Sequence, residues 1–342
     1  MGSVKDLTII QNPTHNHFGI GRFTFSDRYS VFDWGEMPDS IPDKGKSIAV
    51  LAAYFFEKLL DLGIPTHYQG LIEGGKTKNL KHLQSPSNIM EIKLLRVIKP
   101  EVKNGIYDYT LYRNEKGNFL IPIEVIYRNY LPAGSSIFKR IEKGELSPAD
   151  LGLTQIPTPN QKLDKPLLDV STKLEITDRY MSWDEAMTIS GMNERELQSL
   201  KQLTLTINSL ITEEFNKIGL INEDGKIEVG FDSNRSLIVV DVLGTLDECR
   251  FTYEGLPVSK EIARIYYRNT DWAKAVDEAK AKDRQHWKEI CALQPPRLPE
   301  TVVTLISQIY RSCTNLITGK EWFKDVPALN TIVQEIKKEL KL

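Results

Sequence analysis

The sequence predicts an α+β fold, because its strand-like segments are not regularly separated by helices. Residues 226–230 and the run that begins at Ile238 are apolar and of strand length, and a polar turn at 232–235 joins them as in a β-hairpin. The apolar pattern of IAVLAAYFFEKLL predicts one long helix over about 45–62. Strands and helices are therefore both present without the alternation that a doubly wound sheet requires.

The other elements follow from periodicity and from capping residues. Ser182 with Glu185, and Asn193 with Glu196, have the spacing of capping boxes and predict two helix starts. In chain order we expect a short hairpin, strands and the 45–62 helix up to about residue 95; strands and turns through residue 140; the two capped helices, the second ending near 218; a hairpin over 226–251; a helix over about 299–317; and a last helix from Pro327. These elements divide into an N-terminal lobe (1–97), a central lobe (98–270) and a C-terminal helical segment (271–342).

Composition limits the class of protein. A chain of 342 residues can bury a large core, and a net charge of -2 with a pI near 6.3 argues against a general binder of nucleic acid or membrane surfaces. We find no apolar run of transmembrane length and no signal-peptide pattern. The three cysteines are widely spaced, which indicates a reducing cytoplasm and excludes a CxxC metal site. The five histidines lack the spacing of a zinc site.

The segment 123–140 predicts a binding site for a phosphate or a carboxylate. An apolar strand pattern runs there into a turn that carries cations, a glycine and two hydroxyls, namely Arg128, Gly134, Ser135, Ser136, Lys139 and Arg140. Arginine and lysine form charge-assisted hydrogen bonds with oxyanions, and glycine lets the backbone come close. The alternative interpretation of this segment alone is a solvated hairpin.

A second candidate site lies in the hairpin after residue 226. Strand alternation places Lys226 and Glu228 on one face, and Asp241 follows the second strand, so the two carboxylates are expected to converge. Mg²⁺ suits such a pair because it takes one or two protein carboxylates together with water and phosphate oxygens. The alternative is that each acid is solvated at a strand edge.

Residues 70–77, GLIEGGKT, match the P-loop pattern literally. A P-loop must lie between a buried parallel strand and a helix whose N-terminus faces the phosphates. The preceding GIPTHYQ is a poor buried strand, and Pro86 cuts short the polar segment that follows. We therefore interpret residues 74–75 as an ordinary Gly-Gly turn.

Several motifs occur in the order found in SAICAR synthetases (phosphoribosylaminoimidazole-succinocarboxamide synthases), and the chain resembles that family over most of its length. These motifs are SDRYSVFD (26–33), IPDKG (41–45), GIPTH (63–67), RN with AGSS and KR (128–140), STKLE (171–175), KIEVG with VVD and CR (226–250), VSKEIARIYYR from Val258 and PPRLPETVV from Pro295. No single motif is specific, but their common order is.

The resemblance implies a fold and a reaction. The fold is two antiparallel-sheet lobes with an ATP cleft between them, of the ATP-grasp or kinase-like kind, plus C-terminal helices. The reaction is an ATP-dependent ligation of purine biosynthesis, in which the carboxylate of carboxyaminoimidazole ribotide (CAIR) is activated as an acyl phosphate and joined to L-aspartate. ATP and Mg²⁺ are the implied cofactors, the cytoplasm is the implied compartment, and a homo-oligomer is a further possibility.

The resemblance also implies site residues. Substrate binding is implied for Asp27, Arg28, Ser30, Asp33, Lys44, Gly45, Arg128, Ser135 or Ser136, and Arg250. ATP binding is implied for Gly2, Lys5, Lys93, Glu124, Glu228 and Asp241, with Glu228 and Asp241 also as metal ligands. Catalytic roles are implied for Lys173, Asp178, Lys226 and Asp241. The spacing between Lys173 and Asp178 differs from that of the family.

Two further departures keep alternatives open. Ser3 stands where the family's glycine loop has its first lysine, and a polar stretch over 99–119 is inserted, which predicts an extra hairpin beside the adenine pocket. The alternatives are a related ATP-dependent carboxylate–amine ligase with another substrate, and a catalytically silent ribotide-binding protein. The pairing of Lys226 with Glu228 and Asp241 argues against the silent protein, which has no need of acids for a metal.

Overall fold

The computed structural model describes residues 4–283 and 286–342. Its strands are β1 (Lys5–Gln11), β2 (Gly19–Phe25), β3 (Tyr68–Glu73), β4 (Lys76–Lys78), β5 (Ile89–Leu94), β6 (Glu101–Lys103), β7 (Ile106–Asp108), β8 (Phe119–Leu131), β9 (Gln161–Thr172), β10 (Ile221–Phe231), β11 (Leu237–Val240), β12 (Cys249–Tyr253) and β13 (Leu256–Pro257). Its helices are α1 (Lys44–Asp61), α2 (Ser136–Glu142), α3 (Trp183–Ser190), α4 (Glu194–Asn216), α5 (Glu261–Arg268), α6 (Asp271–Lys282), α7 (Trp287–Ile290), α8 (Glu300–Thr318) and α9 (Leu329–Leu340).

The N-terminal sheet is antiparallel and has the order β1-β2-β5-β3-β4. Alternate residues of β2 and β5, such as Phe23, Phe25 and Met90, are buried, as expected for strands with one face against a core. Helix α1 covers this face, and nearly all of its apolar residues are buried. The predicted helix over 45–62 is confirmed.

The central sheet has the order β13-β12-β10-β8-β9, and β11 also pairs with β10. Strands β8 and β10 are buried on both faces, which explains their nearly continuous apolar sequences. Glu228 pairs with Val240 across the turn at 232–235, so the predicted hairpin is confirmed up to residue 240. Its expected extension to residue 251 is wrong, because Cys249 in β12 pairs farther back along β10, with Gly225.

The chain leaves the edge of β10 over residues 241–248 and returns to it as β12. Asp241 and Gly244 adopt positive φ angles of 61° and 66°, which a continuing strand cannot accommodate. This break in the edge strand presents acidic side chains beside β10 and creates the space in which the candidate site lies.

The capping predictions are confirmed. Ser182 accepts a hydrogen bond from the Glu185 amide at the start of α3, and Asn193 and Glu196 form a reciprocal capping box at the start of α4. Helices α8 and α9 begin close to the predicted positions, and α8 packs on α1. In the described part of the chain, no helix has both the length and the apolar character needed to cross a membrane.

The structure also shows the form of the two inserted or ambiguous segments. Residues 70–77 form the β3–β4 hairpin around Gly74 and Gly75, as the Gly-Gly interpretation predicted. The insertion contains the β6–β7 hairpin, which confirms the extra hairpin, while its position beside an adenine pocket stays a prediction. Segment 123–140 is not a hairpin but strand β8 followed by helix α2.

The N-terminal and central sheets are joined through the edge strand β11. Thr66 and Val239 form a parallel bridge, in which the Val239 amide donates to the Pro65 carbonyl and the His67 amide donates to the Val239 carbonyl, both at 3.0 Å. The division into parts at residues 97 and 270 stays a prediction, but this bridge shows that the sheets meet within the site region.

Candidate functional site

A group of lysines and carboxylates lies at the break in the edge strand. This lysine–carboxylate cluster consists of Lys5, Lys173, Lys226, Glu124, Glu228 and Asp241. Glu124 and Glu228 are register partners on β8 and β10, which places both side chains on one face. The Lys173 ammonium group lies 2.9 Å from Glu124 and 2.6 Å from Glu228, and the Lys226 ammonium group lies 2.8 Å from Glu124.

His67 fixes the backbone of Asp241 at the start of the 241–248 loop. Its Nε2 lies 3.0 Å from the Asp241 carbonyl oxygen, and burial lowers the pKa of His67 to about 4. The ring is therefore neutral near pH 7 and donates from Nε2. The Lys93 amide donates to the His67 carbonyl at 2.7 Å, and the Asp241 carboxylate pairs with Lys5. His67 thus contacts two residues for which the resemblance implies ATP binding, Asp241 and Lys93, and this role is structural and not catalytic.

Electrostatics in the cluster favour an additional cation. Burial and the Asp241 carboxylate raise the pKa of Glu228 to about 8. Burial acts in the same direction on Asp241, but Lys5 and the other lysines outweigh it and hold the pKa of Asp241 well below its usual range. Burial opposes the charged form of Lys226, but Glu248 and Glu228 raise its pKa. Of the three carboxyl groups in the cluster, only that of Glu228 has a raised pKa, so a bound cation would stabilise its charged form.

The carboxylate pair fits Mg²⁺ better than a metal held by protein groups alone. Within residues 4–283 and 286–342, no three or more His, Cys, Asp or Glu side chains are arranged to hold a metal. Glu228 and Asp241 are two acids whose charges act on each other. Two carboxylates are sufficient for Mg²⁺ when water and phosphate oxygens fill its other positions.

Beside the cluster lies a cleft of about 370 Å³, which we call the arginine cleft. Its charged and polar lining includes Ser30, Arg128, Tyr180, Asp224, Lys226, Asp247, Glu248, Arg250, Ser259, Lys260 and Arg264. Lys226 belongs to both the cluster and the cleft, so the two regions are continuous.

Arg128 anchors the cleft wall. Its side chain is buried, with Asp169 at 3.2 Å and Asp224 at 3.3 Å. It also donates to Ser136 at 3.2 Å and Ser135 at 3.4 Å, so the arginine and both hydroxyls lie together, while their role in binding stays a prediction. Ser135 also caps α2, which explains why this helix begins here.

Arg250 completes the predicted grouping from the neighbouring strand. Its Nε donates to one Asp224 oxygen at 2.7 Å, and its guanidinium also donates to the other oxygen, which Arg128 contacts at 3.3 Å. A Cβ built on Gly134 would lie 3.7 Å from an Arg250 nitrogen, so the glycine turn approaches this guanidinium closely. Arg128, Arg140 and Arg250 share two acids, Asp169 and Asp224, and so retain net positive charge, which suits an anionic ligand.

Other polar residues near this wall do not line the arginine cleft. Arg140 pairs with Asp169 at 2.7 Å and stacks over Tyr180. Lys139 and Asp178 line a larger cavity of about 990 Å³ on the outer side of this wall. Partial burial and the Glu124 carboxylate raise the pKa of Asp178.

The N-terminal candidates are distributed more widely. Lys44 is buried and pairs with Asp247 at 2.7 Å, and Ser30 lines the cleft. Asp27 accepts a hydrogen bond from the Gly45 amide at 2.9 Å, so this pair fixes the start of α1. A side chain at Gly45 would come within 2.6 Å of the Phe25 carbonyl oxygen.

Arg28 and Asp33 pair away from the residues that line the cleft. Arg28 lies 2.8 Å from Asp6, and Asp33 lies 3.0 Å from Lys280. Lys93 lies over the Phe18 ring. Gly2 and Ser3 lie outside the described residues. For these positions the roles implied by the resemblance stay predictions.

Sequence reasoning missed several lining residues: Tyr180, Asp224, Asp247, Glu248, Lys260 and Arg264. Asp224 had a usable signal, because it precedes Lys226 by two positions in a strand and therefore shares its face. Lys260 and Arg264 are four residues apart at the start of α5, a spacing that places both on one side of a helix. Burial lowers the pKa of Lys260.

Solved structures resemble the model in fold. A SAICAR synthase from Saccharomyces cerevisiae complexed with SAICAR superposes with a TM-score of 0.64 at 21% identity and covers 94% of each chain. A SAICAR synthetase in complex with ADP gives a TM-score of 0.55 at 19% identity, over 87% of this chain and 99% of that one. At these identities the similarity concerns the fold.

Sequence comparison is more specific. The family model for SAICAR synthetase matches residues 14–280. A phosphoribosylaminoimidazole-succinocarboxamide synthase from Thermoplasma acidophilum is 32% identical over 307 residues, covering 88% of this chain and 93% of the relative. An Archaeoglobus fulgidus protein, named only provisionally for the same activity, is 50% identical over 341 residues and the whole of both chains. The chain belongs to the SAICAR synthetase family.

Proposed function

We propose that this chain uses ATP to join the carboxylate of CAIR to the amino group of L-aspartate, giving SAICAR, ADP and phosphate. The observation that carries the proposal is the position of Lys226, which belongs to the lysine–carboxylate cluster and lines the arginine cleft. A region suited to polyphosphate and a region suited to a phosphorylated anion therefore meet at one ammonium group. Family membership supports this pair of substrates.

The chemistry explains why both regions are needed. A carboxylate is a poor acyl donor, so the γ-phosphoryl group of ATP is first transferred to one of its oxygens, and ADP leaves. The aspartate amine then attacks the acyl carbon, the bond to the phosphorylated oxygen breaks, and phosphate leaves with that oxygen. Both steps concentrate negative charge, which fixed cations stabilise in the transition state.

On this proposal the cluster binds the nucleotide. Lys5, Lys93, Lys173 and Lys226 supply ammonium groups and Glu124 orients two of them, while Gly2, for which the resemblance also implies ATP binding, lies outside the described residues. Glu228 and Asp241 would hold Mg²⁺, which when bound supplies positive charge to the phosphate oxygens. Lys173 and Lys226 lie between carboxylates that fix their ammonium groups, so they are placed before the substrates bind.

The arginine cleft binds the ribotide on the same proposal. Arg128, Arg250 and the hydroxyls of Ser135 and Ser136 are the phosphate donors, because both arginines line the cleft and Arg128 contacts both hydroxyls. The imidazole and aspartate side is formed by Asp27, Arg28, Ser30, Asp33, Lys44 and Gly45, with Asp178 approaching from the opposite loop. The Lys44–Asp247 pair supports this arrangement, since it connects the N-terminal candidates to the cleft wall.

We further propose that the protein works in the cytoplasm. Cys249, Cys291 and Cys313 are buried and unpaired, as expected where thiols stay reduced. Assembly into a homo-oligomer stays a prediction.

The proposal is tested by measuring ADP release with ATP and Mg²⁺ while CAIR and L-aspartate are supplied together or each is left out. We expect the mass of the succinocarboxamide only when both are present. Turnover with CAIR and a different amine would instead support the related ligase, and CAIR binding without ADP release under any condition would support the silent protein.

A further inference from the structure

The β6–β7 hairpin has no part in the function described so far. It forms a two-stranded sheet of its own, and the side chains of Val102 and Ile106 are exposed. Tyr107 in its second strand and Tyr109 directly after that strand nevertheless turn back toward the protein. Their hydroxyls contact the loop over 173–179, which follows β9 and begins with Lys173 of the lysine–carboxylate cluster.

The two contacts are made at the tip of this loop. The Ile176 amide donates to the Tyr107 hydroxyl at 2.9 Å, and the Tyr109 hydroxyl donates to the Glu175 carboxylate at 3.1 Å. The Ile176 side chain is 92% exposed, so the tip gains almost nothing from apolar burial. Arg179 also pairs with Glu175 at 3.2 Å, so the hydrogen bonds from the hairpin and this ion pair together order the tip.

The base of the loop is fixed separately. The Thr172 amide donates to the Arg179 carbonyl at 2.9 Å, and the Arg179 amide donates back to the Thr172 hydroxyl at 3.1 Å. The Lys173 amide donates to the Pro122 carbonyl on β8 at 3.0 Å. The base would hold Lys173 without the hairpin, whereas Asp178 lies between the base and the tip and depends on both.

The tyrosines are themselves rooted in the core. Tyr109 packs against Tyr112, and Tyr112 packs edge-on against Phe119 at the start of β8, with ring centroids 6.0 Å and 5.7 Å apart. Tyr112 is fully buried. A row of aromatic rings thus connects the central sheet to the loop tip, so the hairpin residues that contact the loop are themselves held by the core.

We propose that Tyr107 and Tyr109 are positioning residues, which hold the tip of the 173–179 loop and so restrict where Asp178, between the tip and the base, can lie. The importance of Asp178 in this inference rests on the proposed function. The contact between the hairpin and the loop does not depend on that function. The inserted segment then contributes to the site indirectly, because its two hydrogen bonds to the loop tip restrict the freedom of this loop.

The test uses Tyr107→Phe, Tyr109→Phe and the double variant, which remove only hydroxyl oxygens. Tyr112→Phe is the matched control, because its hydroxyl donates to the Ile98 carbonyl within the same segment and contacts none of the loop residues 173–179. Amide hydrogen exchange is followed in peptides that cover 173–179, and kcat and KM are measured for each substrate.

We expect faster exchange at 173–179 by about 2- to 10-fold for each single variant, as for one lost hydrogen bond, and a larger increase in the double variant. Tyr112→Phe should leave this exchange unchanged. In the double variant, kcat should fall several-fold with little change in the KM for ATP, because Lys173 stays fixed by the loop base.

Unchanged exchange in the double variant would overturn the support itself. Faster exchange with unchanged kinetic constants would overturn the positioning role. If the unmodified chain does not ligate CAIR and aspartate, the proposed function fails, but the exchange measurement still decides whether the hairpin holds the loop.

Discussion

Asp241→Asn is expected to lower kcat by about 10²- to 10³-fold, the range found when one preorganised electrostatic group is removed from a charged transition state. The His67 ring holds the backbone carbonyl of Asp241, and Lys5 pairs with its carboxylate, so a neighbour cannot easily replace this acid. On the proposed function, its loss removes one of the two acids that would hold Mg²⁺. The measurement is steady-state ADP release over a range of Mg²⁺ concentrations.

The fold of this variant should be retained. Asn has nearly the volume of Asp and tolerates the positive φ of 61° at this position. The repulsion between Asp241 and Glu228 disappears together with the Lys5 ion pair, so the two electrostatic changes oppose each other. The thermal unfolding midpoint checks this expectation.

Asp232→Asn is the matched control, because Asp232 caps the turn at the other end of β11 by accepting from the Asn234 and Ser236 amides at 2.8 Å. An asparagine oxygen accepts the same hydrogen bonds, and Asp232 lies at the end of β11 that is farther from Asp241. Near-normal turnover in Asp241→Asn, with the control also near normal, would contradict the assignment of Asp241 to the metal.

Arg250→Gln should raise the KM for CAIR by about 10- to 100-fold, the equivalent of losing one or two hydrogen bonds to a charged group. Arg250 shares Asp224 with Arg128, and Arg128 remains 3.3 Å from that carboxylate in the variant. The acid is therefore not left without a partner, and the fold should survive. The KM for ATP should change little, since Arg250 lines the cleft and not the cluster.

Arg22→Gln provides the control. Arg22 pairs with Glu91 on the N-terminal sheet through two nitrogens, at 3.0 Å and 2.9 Å. Like Arg250 it pairs with one carboxylate through two nitrogens, but it does not line the arginine cleft. Both variants should unfold at similar temperatures, and Arg22→Gln should keep both KM values. An Arg250→Gln enzyme whose KM rises equally for CAIR and ATP would argue against a dedicated ribotide phosphate site.

The predictable parts of the site were those that depend on local periodicity. Alternation in β10 placed Lys226 and Glu228 on one face, and the short turn at 232–235 brought Asp241 back beside them. Capping residues marked the helices for the same reason, because a cap acts within one turn. The order of motifs then identified the family.

The missed parts depend on contacts between distant segments. Lys44 and Asp247 are 203 residues apart, and nothing local in either segment indicates their buried pair. The break at Asp241 was missed because the residue adopts a positive φ without being glycine. His67 lies in a motif that sequence analysis quoted, but its role depends on a bridge between the two sheets.

The central claim is that ATP activates the ribotide carboxylate in this site, and isotope transfer tests it most directly. CAIR with ¹⁸O in both carboxylate oxygens is converted with L-aspartate and ATP, and the released phosphate and the product are analysed by mass. We expect one ¹⁸O atom in each phosphate and one in each succinocarboxamide. Unlabelled phosphate, with ADP formed at the same rate, would mean that water takes the phosphoryl group and would contradict phosphorylation of the ribotide carboxylate.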